Sequence, residues 1–233
     1  MIVVIVEDEP FIAERTERLV KEILKNKLTR VVIKESLPGA MHYLNEHQID
    51  LLLLDLNLSG KDGFELLKKA VAGSFHTIVI SAYTDRAIEA FEYGVLDFIG
   101  KPFTVERLKK AFDRLNNVTM KNKYPTKYIA VRKNEKLQLI DVDKINYIKG
   151  AGIYSEIVLM DGSVELHNKS LNKLDVILPS NFIRTHKSYI VNVRYIKSLS
   201  TLGGSKYELE LTSGEIQPLS RHKYKEIKEI LSK

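Results

Sequence analysis

Asp55 ends the apolar run Leu51-Leu52-Leu53-Leu54 and precedes Leu56-Asn57-Leu58-Ser59-Gly60-Lys61-Asp62-Gly63, so a carboxylate falls where a buried strand meets a Gly-rich turn. Two other runs finish in a similar way: Ile2 to Val6 in Glu7-Asp8-Glu9, and Leu96 to Ile99 just ahead of Lys101-Pro102. If these runs are strands of one parallel sheet, their carboxyl ends share an edge, and Asp55, Glu7, Asp8 and Lys101 converge there. Three carboxylates and one lysine suit phosphoryl transfer. Clustered acids repel one another and are relieved by a hard cation such as Mg²⁺, which binds through one or two carboxylates and keeps several waters. With that charge neutralised and a lysine as point charge, Asp55 is the residue placed to act as nucleophile. Singly, each has an ordinary reading: Glu9-Pro10 as a helix start, Asp55 as a turn, Lys-Pro as a loop. Their joint occurrence at successive strand ends favours a site.

The elements that must position these residues are legible as alternation. Strand-like runs at Ile2 to Val6, Arg30 to Lys34, Leu51 to Leu54, Thr77 to Ile80 and Leu96 to Ile99 are separated by helical stretches. The helices are expected at Phe11 to Leu24, Leu37 to Glu46, Gly63 to Ala72, Arg86 to Tyr93 and Val105 to Leu115. That order predicts an α/β domain, a doubly wound five-stranded parallel sheet. A polar, Pro-terminated stretch from Asn116 to Pro125 then reads as a linker.

Beyond it the period changes to two. Tyr128 to Arg132, Lys136 to Val142, Ile145 to Lys149, Ile153 to Met160, Ser163 to His167, Tyr189 to Ser198, Lys206 to Leu211 and Glu215 to Leu219 read as strands. Asp161-Gly162 is a two-residue hairpin signal, and Leu202-Gly203-Gly204-Ser205 and Ser213-Gly214 mark further turns. Helices are expected at Ser170 to Leu178, stopped by Pro179, and after a Ser220 cap. The second half is thus mostly β. It holds no catalytic set: Gly203-Gly204-Ser205-Lys206 lacks the spacing of a phosphate loop, and His42 and His47 are five apart, not four.

Charge divides along the same boundary. Residues 1 to 116 carry 16 Lys and Arg against 18 Asp and Glu, a net of −2; residues 117 to 233 carry 20 against 12, a net of +8. A basic second half points to a polyanion, nucleic acid before membrane. The chain has no Cys, which removes disulfides, thiolate metal sites and cysteine catalysis and fits a reducing cytosol. No apolar stretch reaches spanning length, and Met-Ile-Val-Val lacks the basic flank of a secretion signal, so the expectation is a cytoplasmic protein without a membrane partner.

On the Glu7-Asp8, Asp55, Ser81 and Lys101 positions, the first half resembles the receiver domain of two-component response regulators, a flavodoxin-like fold. The resemblance implies that Glu7, Asp8 and Asp55 hold Mg²⁺ with the backbone carbonyl of Asn57, and that Asp55 accepts a phosphoryl group from a histidine kinase. It implies that Lys101 binds the phosphoryl group, and that Ser81 and Phe98 are the switch residues. Ser59 stands where many receivers have Pro, Glu7 where many have Asp, and Phe98 where many have Tyr. On Ile145-Asn146-Tyr147-Ile148, on Asn181 through Asn192 and on Pro218-Leu219-Ser220-Arg221, the second half resembles the LytTR DNA-binding domain. That implies paired modules on tandem repeats of double-stranded DNA, with DNA-facing positions in the loop of Gly152, Ile153 and Tyr154, at Lys187 and at Arg221. Arg221 suits guanine O6 and N7, while Lys187, Lys223 and Lys225 suit phosphates.

The expected organisation is a receiver over 1–117, a linker over 118–126 and a LytTR domain over 127–233. The expected function is a transcription regulator, not an enzyme, that dimerises on phosphorylation. A regulator that binds a partner protein through its basic half is the alternative. A phosphoaspartyl hydrolase is disfavoured, because Asp55-Leu56-Asn57-Leu58-Ser59 lacks the second acid of that nucleophile motif.

Overall fold

The computed structural model describes residues 1–116, 125–134, 136–202 and 206–231. Seven strands and five helices make up the first half: β1 (Ile2–Val6), α1 (Pro10–Leu24), β2 (Arg30–Lys34), α2 (Leu37–Glu46), β3 (Leu51–Leu54), β4 (Asn57–Leu58), β5 (Lys61–Asp62), α3 (Phe64–Val71), β6 (His76–Ser81), α4 (Ala87–Glu92), β7 (Asp97–Gly100) and α5 (Val105–Asp113). The main sheet has the order β2-β1-β3-β6-β7, and every pairing in it is parallel. This is the five-stranded doubly wound sheet that the alternation predicts. Val3 to Val6 of β1 and Leu51 to Leu54 of β3 are buried on both faces, as expected of strands covered by helices on either side.

Helix ends follow local chemistry. Ser36 Oγ accepts from Gly39 N at 3.3 Å and Thr104 Oγ1 from Arg107 N at 3.3 Å, each satisfying a first-turn N–H that the helix leaves unpaired. In α1, Pro10 sits at the first position and Ala13, Thr16, Val20 and Leu24 form the buried stripe. The fourth helix is shorter than expected, because Thr84–Arg86 form a separate 3-10 turn ahead of it. The small β4–β5 hairpin, pairing Asn57 with Asp62, was not expected. At two residues per strand it has no periodicity to detect.

The second half continues with β8 (Tyr128–Lys133), β9 (Lys136–Asp141), β10 (Ile145–Ala151), β11 (Tyr154–Leu159), β12 (Val164–His167), α6 (Leu171–Asp175), β13 (Phe182–His186), β14 (Tyr189–Asn192), β15 (Ile196–Leu202), β16 (Lys206–Leu211), β17 (Ile216–Leu219) and α7 (Arg221–Leu231). It contains an antiparallel sheet of order β12-β11-β10-β14-β13, a three-stranded sheet β15-β16-β17 and the β8–β9 hairpin. The run Tyr189 to Ser198, expected as one strand, is broken into β14 and β15. Asn192 Oδ1 accepts from Arg194 N at 3.2 Å, closing a turn of 3-10 helix that redirects the chain. Strand β13 was not anticipated as a strand, and α6 is shorter than Ser170 to Leu178. The turn at residues 203–205 and linker residues 117–124 lie outside the described residues.

The two halves pack on each other. Ala130 of β8 belongs to the same buried cluster as Phe91, Val95 and Phe98 of the first half. Lys127 N donates to Glu92 O at 2.9 Å, and Lys127 Nζ to Glu92 Oε1 at 2.5 Å.

Candidate functional site

Parallel register sets the first site. Val6 lies opposite Leu54 on adjacent strands, so the residues that follow, Glu7-Asp8 and Asp55, leave the sheet side by side where the strand order reverses. Ligand oxygens of Glu7, Asp8 and Asp55 all lie within 4.8 Å of one another. From the strand two places over, Lys101 Nζ donates to Glu7 Oε2 at 2.7 Å and to Asp55 Oδ2 at 2.7 Å. The Lys101-Pro102 bond is cis. Asn57 N donates to Asp55 Oδ1 at 3.0 Å, so both oxygens of Asp55 are oriented.

The electrostatics match a site that awaits positive charge. Burial pushes the Glu7 carboxyl above its ordinary pKa, against the pull of Lys101. For Lys101, burial works against the charge, but hydrogen bonds to Asp55 and Glu7 outweigh it and hold the ammonium above the usual lysine value. Glu7 Oε1 is buried without a hydrogen-bond partner. An orphaned carboxylate oxygen beside two further carboxylates fits a hard, oxygen-seeking cation such as Mg²⁺.

Ser59, which stands where many receivers have Pro, holds Asp8 in place. Its N–H and hydroxyl donate to Asp8 Oδ2 at 2.7 and 2.8 Å. It adopts φ 52°, a backbone that proline, locked near −65°, does not reach. A hydroxyl at this position was the available signal. Ser81, fully buried, follows the apolar part of β6, and its carbonyl accepts from Lys101 N at 2.9 Å. Phe98 is buried, and its carbonyl accepts from Arg107 Nη2 at 2.6 Å while Arg107 forks onto Asp97.

The second half gathers its expected contact residues at one end. Ser220 N donates to Thr185 O at 3.0 Å, which brings Arg221, the first residue of α7, beside the turn that carries Lys187. Gly150 N donates to Ser188 O at 2.9 Å, which adds the loop of Gly152, Ile153 and Tyr154. Gly152 takes φ 69°, and all three loop residues are exposed, as are Lys187, Arg221 and Lys225. Lys223 differs from expectation: its ammonium is paired with Glu226 Oε2 at 2.6 Å, so it is less available to a phosphate. Ser220 does cap α7, its hydroxyl accepting from Lys223 N at 3.4 Å.

The family model of the response regulator receiver domain matches residues 3–113, and that of the LytTr DNA-binding domain matches residues 135–232. The chain belongs to the LytTR-type response regulators. This regulator is 29% identical to the sensory transduction protein LytT of Bacillus subtilis, over 98% of each chain. It is 27% identical to the transcriptional regulatory protein LytR of Staphylococcus aureus, over 96% of each. Among solved structures it is similar to the response regulatory domain of mrkE from Klebsiella pneumoniae, with 26% identity, 49% of this chain and 94% of that one covered, and a TM-score of 0.46. No described helix of the regulator is long and apolar enough to cross a membrane.

Proposed function

We propose that this response regulator is switched by phosphorylation of Asp55 and binds tandem promoter repeats as a dimer. The donor is the phosphohistidine of a partner histidine kinase. An oxygen of Asp55 attacks phosphorus, the P–N bond breaks, the histidine nitrogen leaves with its electron pair, and an acyl phosphate forms on Asp55. The observation that carries this reading is the bridge of Lys101 Nζ between Glu7 and Asp55 beside the unpartnered Glu7 oxygen.

When bound by Glu7, Asp8, Asp55 and the Asn57 carbonyl, Mg²⁺ supplies charge neutralisation for the phosphoryl oxygens. Lys101 exchanges its carboxylate partners for a phosphoryl oxygen, and Ser81 donates its hydroxyl to another. Phe98 has no hydroxyl, so its response is a change of packing.

We assign the receiver to 1–117, the linker to 118–126 and the LytTR domain to 127–233. Arg221 reads a base edge and the loop of Gly152, Ile153 and Tyr154 enters a groove, while Lys187 and Lys225 fix the backbone and Lys223 contributes less. The test is sedimentation and duplex binding of the full chain before and after acetyl phosphate with Mg²⁺. Dimerisation and tighter, salt-sensitive binding are expected. Salt-insensitive or absent duplex binding in both states would favour a protein partner instead.

A further inference from the structure

The last carbonyl of α3, that of Val71, and two just beyond the helix, those of Gly73 and Ser74, are taken up by the other domain. A helix leaves its last four carbonyls without intrahelical donors. Here Lys169 Nζ donates to Val71 O at 2.6 Å and to Gly73 O at 2.7 Å, and Lys173 Nζ donates to Ser74 O at 2.7 Å. A cation at the negative end of a helix dipole is well placed. It is also costly here: Lys169 is 2% exposed, and among the described residues no carboxylate pairs with it. Burial, with Lys173 adding repulsion, brings its pKa down to about 7.

Both ends of this contact lead to a functional site. On the LytTR side, Ser155 Oγ donates to Lys169 O at 2.8 Å, and Lys169 N to His167 Nδ1 at 2.8 Å. Ser155 directly follows Tyr154, so the peptide bearing Lys169 is tied to the DNA-facing loop. On the receiver side, α3 starts against the phosphoacceptor. A Cβ on Gly63 would lie 2.7 Å from Leu56 Cα and 2.8 Å from Asp55 O, and Gly63 N donates to Leu56 O at 2.8 Å. The eight residues of α3, about 12 Å of rigid helix, therefore join the backbone of Asp55 to the ammonium of Lys169.

The same docking turns the DNA-facing loop toward the receiver. Gly152, Ile153 and Tyr154 line one side of a cleft of about 600 Å³ whose other side includes Ile2, Gln48 and Asp50. Receiver residues there stand where a duplex would seat on the loop, an obstruction of space, since Lys173 lines the same cleft and offsets the Asp50 carboxylate.

We propose that Lys169 is a latch that holds the LytTR domain docked on the C-terminal end of α3, and that this docked form binds DNA weakly. The latch is reversible because undocking returns the ammonium to water while docking supplies two carbonyls, so the Lys169 contact itself is nearly balanced between the two states. A shift of α3 at its Asp55 end moves both acceptors away from Nζ. The consequence for DNA rests on the proposed function; the latch itself does not.

The chain has no Cys, so Asn45→Cys and Ser200→Cys, one in each domain, can be spin-labelled and their separation measured by pulsed EPR in the full chain. Duplex binding is measured in parallel on unlabelled protein. Lys169→Met keeps the volume of the stem and removes the ammonium. It should lengthen and broaden the distance distribution and raise duplex affinity roughly 5- to 150-fold without phosphorylation, the range of ordinary couplings. An unchanged distribution would overturn the latch. An opened distribution with unchanged affinity, in a chain that does bind duplex, would overturn the claim that docking weakens binding. Opening without duplex binding by any form would keep the latch and sink the DNA reading. If Lys169→Met does not fold, the parent chain decides: once intact mass shows a phosphoryl group added by acetyl phosphate with Mg²⁺, the same distribution should broaden, and no broadening of the phosphorylated chain would overturn the proposal. A chain that takes no phosphoryl group sinks the proposed function and leaves the decision to Lys169→Gln in the same measurement.

Discussion

Ser59 donates twice to a single oxygen of Asp8, through its backbone N–H at 2.7 Å and its hydroxyl at 2.8 Å. The hydroxyl bond is made in an exposed setting, so its loss is expected to cost about 0.5–1.5 kcal/mol in how well Asp8 is held. Ser59→Ala should weaken Mg²⁺ binding by roughly 2- to 10-fold while the fold stays intact, as read by calorimetric titration. Ser59→Pro should weaken it further, because the left-handed backbone at 59 must also change. Wild-type Mg²⁺ affinity in Ser59→Ala would show that Asp8 needs no such support.

Asp55→Asn removes the attacking oxygen and one member of the acidic cluster. Intact-mass measurement after acetyl phosphate should show one added phosphoryl group on the parent and none on the variant, and EDTA should abolish the parent's gain. A phosphoryl group retained in Asp55→Asn would move the acceptor elsewhere.

Arg221 is exposed at the start of α7, whereas Lys223 is engaged by Glu226. Arg221→Ala should cost roughly 1 to 3 kcal/mol on a cognate duplex and relax preference at one base pair. Lys225→Ala should weaken all duplexes about equally and lower the salt slope by about 1. Lys223→Ala should change little. Equal losses on cognate and random duplex for Arg221→Ala would demote it to a phosphate contact.

His76 is buried at the start of β6, and burial followed by repulsion from Lys169 and Lys173 lowers its pKa to about 3. The native state therefore resists a proton that the unfolded chain accepts below about 6.5. Stability from this group is complete above pH 6.5 and falls as the pH drops from 6.5 toward 3, by up to about 1.4 kcal/mol per unit. Urea unfolding midpoints across pH 7 to 4 should fall less steeply in His76→Phe than in the parent. Parallel slopes would assign the acid sensitivity to other groups.

Gly63 has no room for a side chain, since a Cβ would sit under 3 Å from the backbone of Asp55 and Leu56. Gly63→Ala should destabilise the regulator by about 1–3 kcal/mol, as overpacking does. Thermal melts should also show a smaller gain on Mg²⁺ addition if the displaced strand end disturbs the acidic cluster. An unchanged melt would mean that α3 and the strand end move apart freely.

Much of the first site could be read along the chain because its parts are local. Three apolar runs end at or just before Glu7-Asp8, Asp55 and Lys101, and a parallel sheet necessarily brings those ends together, so these four residues were predictable as a group. The five helices and the Ser220 cap followed from periodicity and capping residues for the same reason. The β4–β5 hairpin and the break at Asn192 escaped because two residues carry no period and a side chain capping its own backbone resembles any other polar residue. What tertiary structure alone decided is which distant groups meet. Lys169 is one of many lysines in a basic half until packing removes its water and sets it against Val71 and Gly73. Ser59 is an ordinary turn residue until a positive φ aims both its donors at Asp8. Burial and long-range contact depend on the whole chain, and no local pattern encodes them.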